Sequence, residues 1–408
     1  MKPDLSRRQF LVHSAGVAGA LGLGGHRVHA GVGPDRSLRL GFIGLGDRGR
    51  HLLNALLRWQ GDSADAKIEI RALCDVHPQR LKRCLTMVRD GVPVKTRGKQ
   101  QPELANPDGG RRAGSNVSVQ GFTNYRELLD CRDVDIVFIA TPVHLHADHA
   151  ICALGAGKHV YLEKPLAGTV HDCQKLKAEC QNAEAKGLTF QVGFQRRYNP
   201  RYEKSIAYLQ GGELGAPLFM RAQWHATGNS PKDKPWIFRR EKSGDIVVEQ
   251  ACHQFDIFNW VFQSVPRRVC GLGGVSRYDD QPPGRDTLDH YGLILEYPGG
   301  AKVHFSHLSF SVPERRFSGI YELAFAADGG VDLANAQAWS RDGTSRRLEA
   351  PRGNDTQLAL QAFLHCVRTG QRTIANIDVA YSATMTSLLA QRALDSGRTV
   401  EWSDLGAG

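Results

Sequence analysis

Leu38-Arg39-Leu40-Gly41-Phe42-Ile43-Gly44-Leu45-Gly46-Asp47-Arg48-Gly49 is the stretch whose reading decides the fold. The first six residues read as a buried strand. Beyond them glycines fall at 44, 46 and 49, followed by Leu52, Leu53, Leu56 and Leu57 at helical spacing. In such a strand–turn–helix unit each glycine has its own task. Gly44 permits the tight turn, Gly46 lets the backbone approach a pyrophosphate, and Gly49 permits close packing of helix on strand. The helix N-terminus, Arg48 included, then faces the negative charge of a bound dinucleotide. A second strand over 68–73 leads to Asp75. That carboxylate lies somewhat beyond the usual spacing of about 20 residues, because 61–66 reads as an added loop. It suits a ribose 2′-hydroxyl and repels a 2′-phosphate, so the expected cofactor is NAD rather than NADP.

Outward from this unit, strands and helices continue to alternate. After a Gly/Pro/polar insertion over 91–120 come a helix at 125–130, a strand at 134–140, a helix at 146–156 and a strand at 159–162. This predicts a doubly wound parallel sheet. Ala140-Thr141-Pro142 ends the fourth strand at the crevice where such sheets bind ligands. Thr141 offers a hydroxyl, Pro142 stiffens the turn, and His146 is expected to cap or line the nicotinamide side. His144, His146 and His149 have no acidic or cysteine partner at ligand spacing, so no metal is expected. The pattern changes near Pro165. A helix at 170–186, a strand at 189–192 and a helix at 200–210 precede strands at 218–225, 268–274, 291–297, 301–310 and 321–326. Several are joined by hairpin-like turns such as Pro298-Gly299-Gly300. A C-terminal α+β unit is predicted, with a large mixed, mainly antiparallel open sheet. Closing helices follow at 355–369 and 379–396, the latter expected to pack back on the first unit. The domain reading is therefore 36–164 for cofactor binding and 165–402 for substrate and oligomerisation.

Composition is globular: of 408 residues 41% are hydrophobic and 23% charged, and the formal net charge is +10. The basic residues form scattered pairs such as Arg111-Arg112 and Arg239-Arg240, not a stripe, so nucleic acid is not an expected partner. The nine cysteines are irregularly spaced with no CxxC pair and read as small buried hydrophobes. Ser6-Arg7-Arg8-Gln9-Phe10-Leu11, an apolar Gly/Ala-rich run over 15–25 and Val28-His29-Ala30 together match a twin-arginine export signal over 1–30. A periplasmic destination follows, with no membrane association beyond export.

Two further stretches carry chemistry. Glu163-Lys164-Pro165 follows the fifth strand and leaves Lys164 at the junction of the two units. A cationic nicotinamide and partial desolvation would depress the lysine's pKa, and Glu163 would push it the other way. Downstream, a helix from about 246 would set Glu249, His253 and Asp256 at i, i+4 and i+7 on one face of an otherwise apolar segment. The plain alternative is a structural Glu–His hydrogen bond. Gly44–Gly49, Asp75, Ala140-Thr141-Pro142, Glu163-Lys164-Pro165 and Glu249-xxx-His253-xx-Asp256 together resemble the Gfo/Idh/MocA oxidoreductases, relatives of glucose-fructose oxidoreductase and inositol dehydrogenase. The resemblance runs from about residue 38 to 402.

The resemblance implies an N-terminal Rossmann domain that binds NAD through the glycine loop, Asp75, Thr141, Pro142, His146, Glu163 and Lys164. It also implies that Lys164 and His253 share acid–base work at a sugar or polyol hydroxyl. The position four before that histidine is usually aspartate; here it is Glu249. Arg197, Trp236, Asp256 and His290 become candidate substrate contacts, and a homo-oligomer through the C-terminal sheet is expected. Free NAD is scarce outside the cytoplasm, so an exported enzyme of this kind would retain its cofactor between turnovers. Two alternatives remain beside the oxidoreductase: a glycosidase that oxidises its sugar transiently, and a non-catalytic sugar-binding relative.

Overall fold

The computed structural model describes residues 32–33, 35–63, 66–91, 118–228, 234–351 and 353–406. The segment 1–30, read from the sequence as an export signal, and nearly all of the 91–120 insertion lie outside them. Strand β1 (Leu38–Ile43) is buried except at Arg39 and runs parallel to β2 (Ile68–Cys74) on one side and β4 (Ile136–Ile139) on the other. With β3 (Gln120–Phe122), β5 (His159–Leu162) and β6 (Phe190–Val192) it forms a six-stranded parallel sheet of order 3-2-1-4-5-6. Helices α1 (Asp47–Asp62), α2 (Pro78–Asp90), α3 (Tyr125–Leu129), α4 (His146–Gly155) and α5 (Val170–Ala185) are the crossovers. Helices covering both faces explain why the central strands are apolar almost throughout. The parallel sheet does not stop at Lys164. Leu162 pairs with Val192, so α5 and β6 add one more crossover after the loop that carries Lys164.

The second sheet has nine strands. They are β7 (Pro217–His225), β8 (Arg268–Gly274), β9 (His290–Glu296), β10 (Lys302–Leu308), β11 (Gly319–Ala326), β12 (Gly329–Asp332), β13 (Gln337–Ser340), β14 (Ser345–Arg347) and β15 (Val400–Glu401), in the order 14-13-12-11-7-10-9-8-15. All neighbours are antiparallel except β7 and β10. One face alternates inward. Val303, Phe305 and His307 of β10 are buried while Lys302 and His304 are exposed. On the inward face lie α6 (Pro200–Gln210) and α9 (Cys252–Phe262), and the short helices α7 (Arg240–Ser243) and α8 (Ile246–Glu249) lead into α9. Phe305 receives the rings of Phe255 and Phe258 edge-on, with centroids 5.8 and 5.7 Å away.

Two helices close the chain, α10 (Asp355–Thr369) and α11 (Ile377–Ser396). The sequence singles out the later one to return to the first unit, but both connect the two. Phe363 of α10 sets its ring edge-on against Phe138 and Tyr161 of the parallel sheet, at 5.9 and 5.5 Å. In α11 small residues, Ala380, Ala383, Ala390 and Ala393, let the helix be buried on several sides. Thr384 Oγ1 accepts from the Leu166 amide beyond the catalytic loop, and Thr386 Oγ1 accepts from Asn259 of α9. Phe363→Ala empties a fully buried site at this junction. A loss of about 3–5 kcal/mol in unfolding free energy is expected, read from the urea denaturation midpoint.

Candidate active site

The turn after β1 is built for a bound anion. Gly44 has φ of 89°, and a Cβ there would lie 2.7 Å from the Ala140 carbonyl oxygen. A Cβ at Gly49 would collide with the Gly44 carbonyl. Gly46 stands at the N-cap of α1 with no side-chain cap, which leaves the first-turn amides available. Asp75 closes the ribose side: Oδ2 accepts from the Leu45 amide at 2.7 Å and Oδ1 from the His77 amide at 2.8 Å. A cavity beside it is lined by Gly46, Asp47, His77, Gln79, Arg80 and Arg83. Unlined glycines, free helix amides, a carboxylate and two arginines fit a dinucleotide. The sequence reading did not single out Arg80 and Arg83, although their position in the helix that follows the acidic strand end was a usable signal.

Arg48 departs from its expected role. Its Nε donates to Glu163 Oε1 at 2.7 Å and its Nη1 to Thr356 Oγ1 at 3.2 Å. The side chain reaches across the sheet top to β5 and α10 instead of toward a phosphate. Glu163 is correspondingly engaged by the arginine, and its carboxylate fills the space where a side chain at Gly193 would stand. His146 departs too. It is 1% exposed and lies between two backbone carbonyls, Nδ1 at 2.7 Å from Pro165 O and Nε2 at 2.9 Å from Thr141 O. It is thus a strut between the two ligand-facing loops and does not line the cleft. The neighbouring histidines point elsewhere, His149 Nδ1 to Thr141 Oγ1 and His144 Nδ1 to the Lys242 carbonyl. Pro142 begins a short 3-10 turn, Val143–Leu145.

Lys164 reaches the segment that carries His253 at a break in the chain, not along a continuous helix. Helix α8 ends at Glu249 and α9 begins at Cys252. In an uninterrupted helix the Glu249 carbonyl would accept from the His253 amide. Here it accepts from Lys164 Nζ at 2.5 Å, and Glu249 Oε1 accepts from the same nitrogen at 3.1 Å. The expected shared face of Glu249, His253 and Asp256 is therefore divided. Glu249 serves Lys164, while Asp256 accepts two hydrogen bonds from Arg197 Nε, at 2.8 and 3.0 Å. The Arg197 guanidinium also stacks on Trp260 at 4.9 Å, so Arg197 and Asp256 satisfy one another. His253 makes no Glu–His bond. Its Nδ1 is buried without a hydrogen-bond partner among the described residues, and its ring meets Phe194 edge-on at 6.0 Å.

The electrostatics separate the pair. Burial, then the charges of Lys164, Arg196 and Arg48, hold His253 well below the ordinary imidazole range, so the ring is neutral near pH 7. Burial also pulls Lys164 down, but the neighbouring acidic groups, Glu249 first, outweigh it and its pKa is raised. The lysine is a pinned cation, contrary to the depressed base that desolvation alone would give. Of the remaining candidates, His290 Nδ1 lies 2.8 Å from Asp289 Oδ1 on β9, and Trp236 occupies a partly buried 3-10 turn, Pro235–Phe238. No hydrogen bond or ring contact among the described residues joins either to Lys164 or His253.

The comparisons agree with the fold. Residues 38–194 match the model of the Gfo/Idh/MocA oxidoreductase family, NAD-binding Rossmann fold, and residues 202–325 match the Gfo/Idh/MocA C-terminal domain. The chain belongs to this family of NAD-binding oxidoreductases. It is 30% identical to a scyllo-inositol 2-dehydrogenase (NAD+) of Bacillus subtilis over 63% of this chain and 77% of that protein. It is also 30% identical to an inositol 2-dehydrogenase of Salmonella typhimurium, over 36% of this chain, and spans only 40% of that relative's length. Among solved structures, a levoglucosan dehydrogenase in complex with NADH and levoglucosan superposes with a TM-score of 0.71 at 18% identity, covering 89% of this chain and 99% of that one. Asp75→Gly removes the acceptor for the Leu45 amide and the negative charge at the ribose edge. NAD should bind about tenfold or more weakly, and NADP no worse than before, by fluorescence titration.

Proposed function

We propose that the protein transfers hydride between NAD and a secondary hydroxyl of a sugar, glycoside or cyclitol. The single observation that carries this is the juxtaposition of a cation, Lys164 fixed by Glu249, with a neutral imidazole, His253. An alcohol loses its proton more readily beside a fixed positive charge, and a neutral imidazole can take that proton. Bound NAD supplies the hydride acceptor. Lys164 therefore orients the hydroxyl and stabilises the developing alkoxide, and His253 receives the proton. In the reverse direction the protonated imidazole returns it to the carbonyl oxygen. The substrate class is supported by relatives named for inositol and by a neighbour holding levoglucosan, all of them ring polyols.

Export by the twin-arginine route to the periplasm is part of the same reading, supported by Ser6–Leu11 and the run after it. Such a setting favours a cofactor that stays bound and is reoxidised by a second substrate. Self-association through the second sheet is supported by its outward face, where Phe219, Ile294, Phe325 and Trp339 are each between 37% and 43% exposed.

Purified protein should carry nicotinamide detectable by absorbance and mass spectrometry, and a screen of polyols and glycosides should reduce or oxidise that bound cofactor. Accumulation of a keto-sugar is the expected result; release of an aglycone without net redox change would point to the glycosidase instead. Lys164→Ala and His253→Ala should each lower turnover about 10²–10⁴-fold with NAD still bound. Unchanged rates would refute the assignment. With His253 as base, activity should fall as pH drops through its depressed pKa and should hold across neutrality.

A further inference from the structure

Three partly buried cations bear on His253, and each is met by a carboxylate. Lys164 pairs with Glu249, and Arg48 of α1 pairs with Glu163. The third pair lies outside every motif read from the sequence: Arg196, in the short turn Gln195–Tyr198, sends Nη1 to Glu322 Oε1 at 2.7 Å. Glu322 is fully buried on β11. Its oxygens also accept from the Tyr202 hydroxyl at 2.8 Å and from Gln254 Nε2 at 3.3 Å. Gln254 adjoins His253 on α9, and Phe194, two residues before Arg196, supplies the ring that meets His253. The Arg196 guanidinium lies 5.8 Å from the ring centroids of both Tyr202 and Trp224. The arginine thus lies near two aromatic rings, two residues from the Phe194 ring that meets His253, with its counter-ion bonded to the residue beside His253 on α9.

We propose that Arg196 and Glu322 are positioning residues for His253: Arg196 is a fixed cation that keeps the imidazole unprotonated as a base, and Glu322 sets both the place of that cation and how much of its charge the ring feels. The proposal rests on the reading of His253 as the proton acceptor. Two charges taken out of water are costly unless they pair, and a hydrophobic pair would serve packing as well. The contacts of this pair with the elements that hold the imidazole, through Gln254 and Phe194, give it a use. Burial acts first on the ring, and Arg196 stands beside Lys164 and Arg48 among the charges that disfavour its protonated form. The other groups around it are already matched. Asp256 faces Arg197, Glu249 faces Lys164, Glu163 faces Arg48, and burial holds the Cys252 thiol protonated, with its pKa raised to about 12.

Charge-setting and simple bracing differ in sign. Removing either end of a brace loosens the same helix and moves the imidazole in the same direction. Removing either end of a charge-setting pair moves it in opposite directions. The measurement is the titration of the His253 ring by NMR in histidine-labelled protein carrying NAD, its signal assigned with His253→Asn, alongside the acid limb of turnover against pH. In Arg196→Met the ring should protonate about half a pH unit or more higher than in the parent. In Glu322→Gln, which leaves the arginine unopposed, it should protonate lower or stay neutral down to the lowest pH at which the fold persists. Arg196→Lys should lie near the parent. If Arg196→Met does not fold, the double variant R196M/E322Q removes the pair without stranding a charge and should titrate above Glu322→Gln. Shifts of the same sign in the two single variants, or no shift in either, would overturn the proposal. Full turnover in His253→Asn would instead overturn the assignment of the base, and the ring titrations would still decide the role of the pair.

Discussion

The structure turns on one nitrogen. Lys164 Nζ sits at the end of the parallel sheet and is bound at once by the side chain and the backbone carbonyl of Glu249, which belongs to the second unit. A lysine this deeply buried would be neutral without a partner. The carboxylate keeps it charged, and at the break between α8 and α9 the Glu249 carbonyl accepts from the lysine and not from the His253 amide. The contact thus fixes the cation against the second unit, beside the packing of α10 and α11.

Around this contact, cations and carboxylates are arranged in pairs, and the placement of each pair follows from an element that has to be held. Arg48 ties the nucleotide helix to Glu163 and to Thr356 on α10, so the cofactor turn, the catalytic strand and a closing helix share one guanidinium. Arg197 and Asp256 lock α9 to the turn after β6. His146 connects the loops that begin at Thr141 and Lys164 through their carbonyls. The result is a site whose candidate groups stand on a short loop, Lys164, and on the first turn of a helix, His253, each held by its neighbours, which is how groups are kept within hydrogen-bond reach of a substrate.

Much of this was legible beforehand. The parallel sheet could be read because its evidence is local: apolar strands bounded by glycine turns, at regular distance, with helical periodicity between them. The mixed sheet could be read for the same reason, though β12 to β14 are too short and too polar to stand out. The glycine loop, Asp75, Lys164 and His253 carry recognisable residue types at recognisable positions. What failed was orientation. Arg48 stands in the glycine turn and is expected at the cofactor, yet its long side chain reaches Glu163 more than a hundred positions away. His146 was assigned to the cleft because it follows Thr141-Pro142, yet burial directs it between two carbonyls. Glu249, His253 and Asp256 were grouped by helical spacing, and spacing cannot register a two-residue break.

The sequence by itself determined the order of elements, the glycine turn that a side chain would block, and the identity of the groups able to move a proton. These depend on backbone sterics and on periodicities within a few residues of each other. Only the tertiary structure decided which charge answers which. Arg196 meets Glu322 and Arg197 meets Asp256, although the two arginines are neighbours and their partners lie on separate elements. The charge state of Lys164 and of His253 was decided at the same level. Desolvation and the nearest opposite charge set a pKa, and both are properties of folded surroundings that no run of adjacent residues contains.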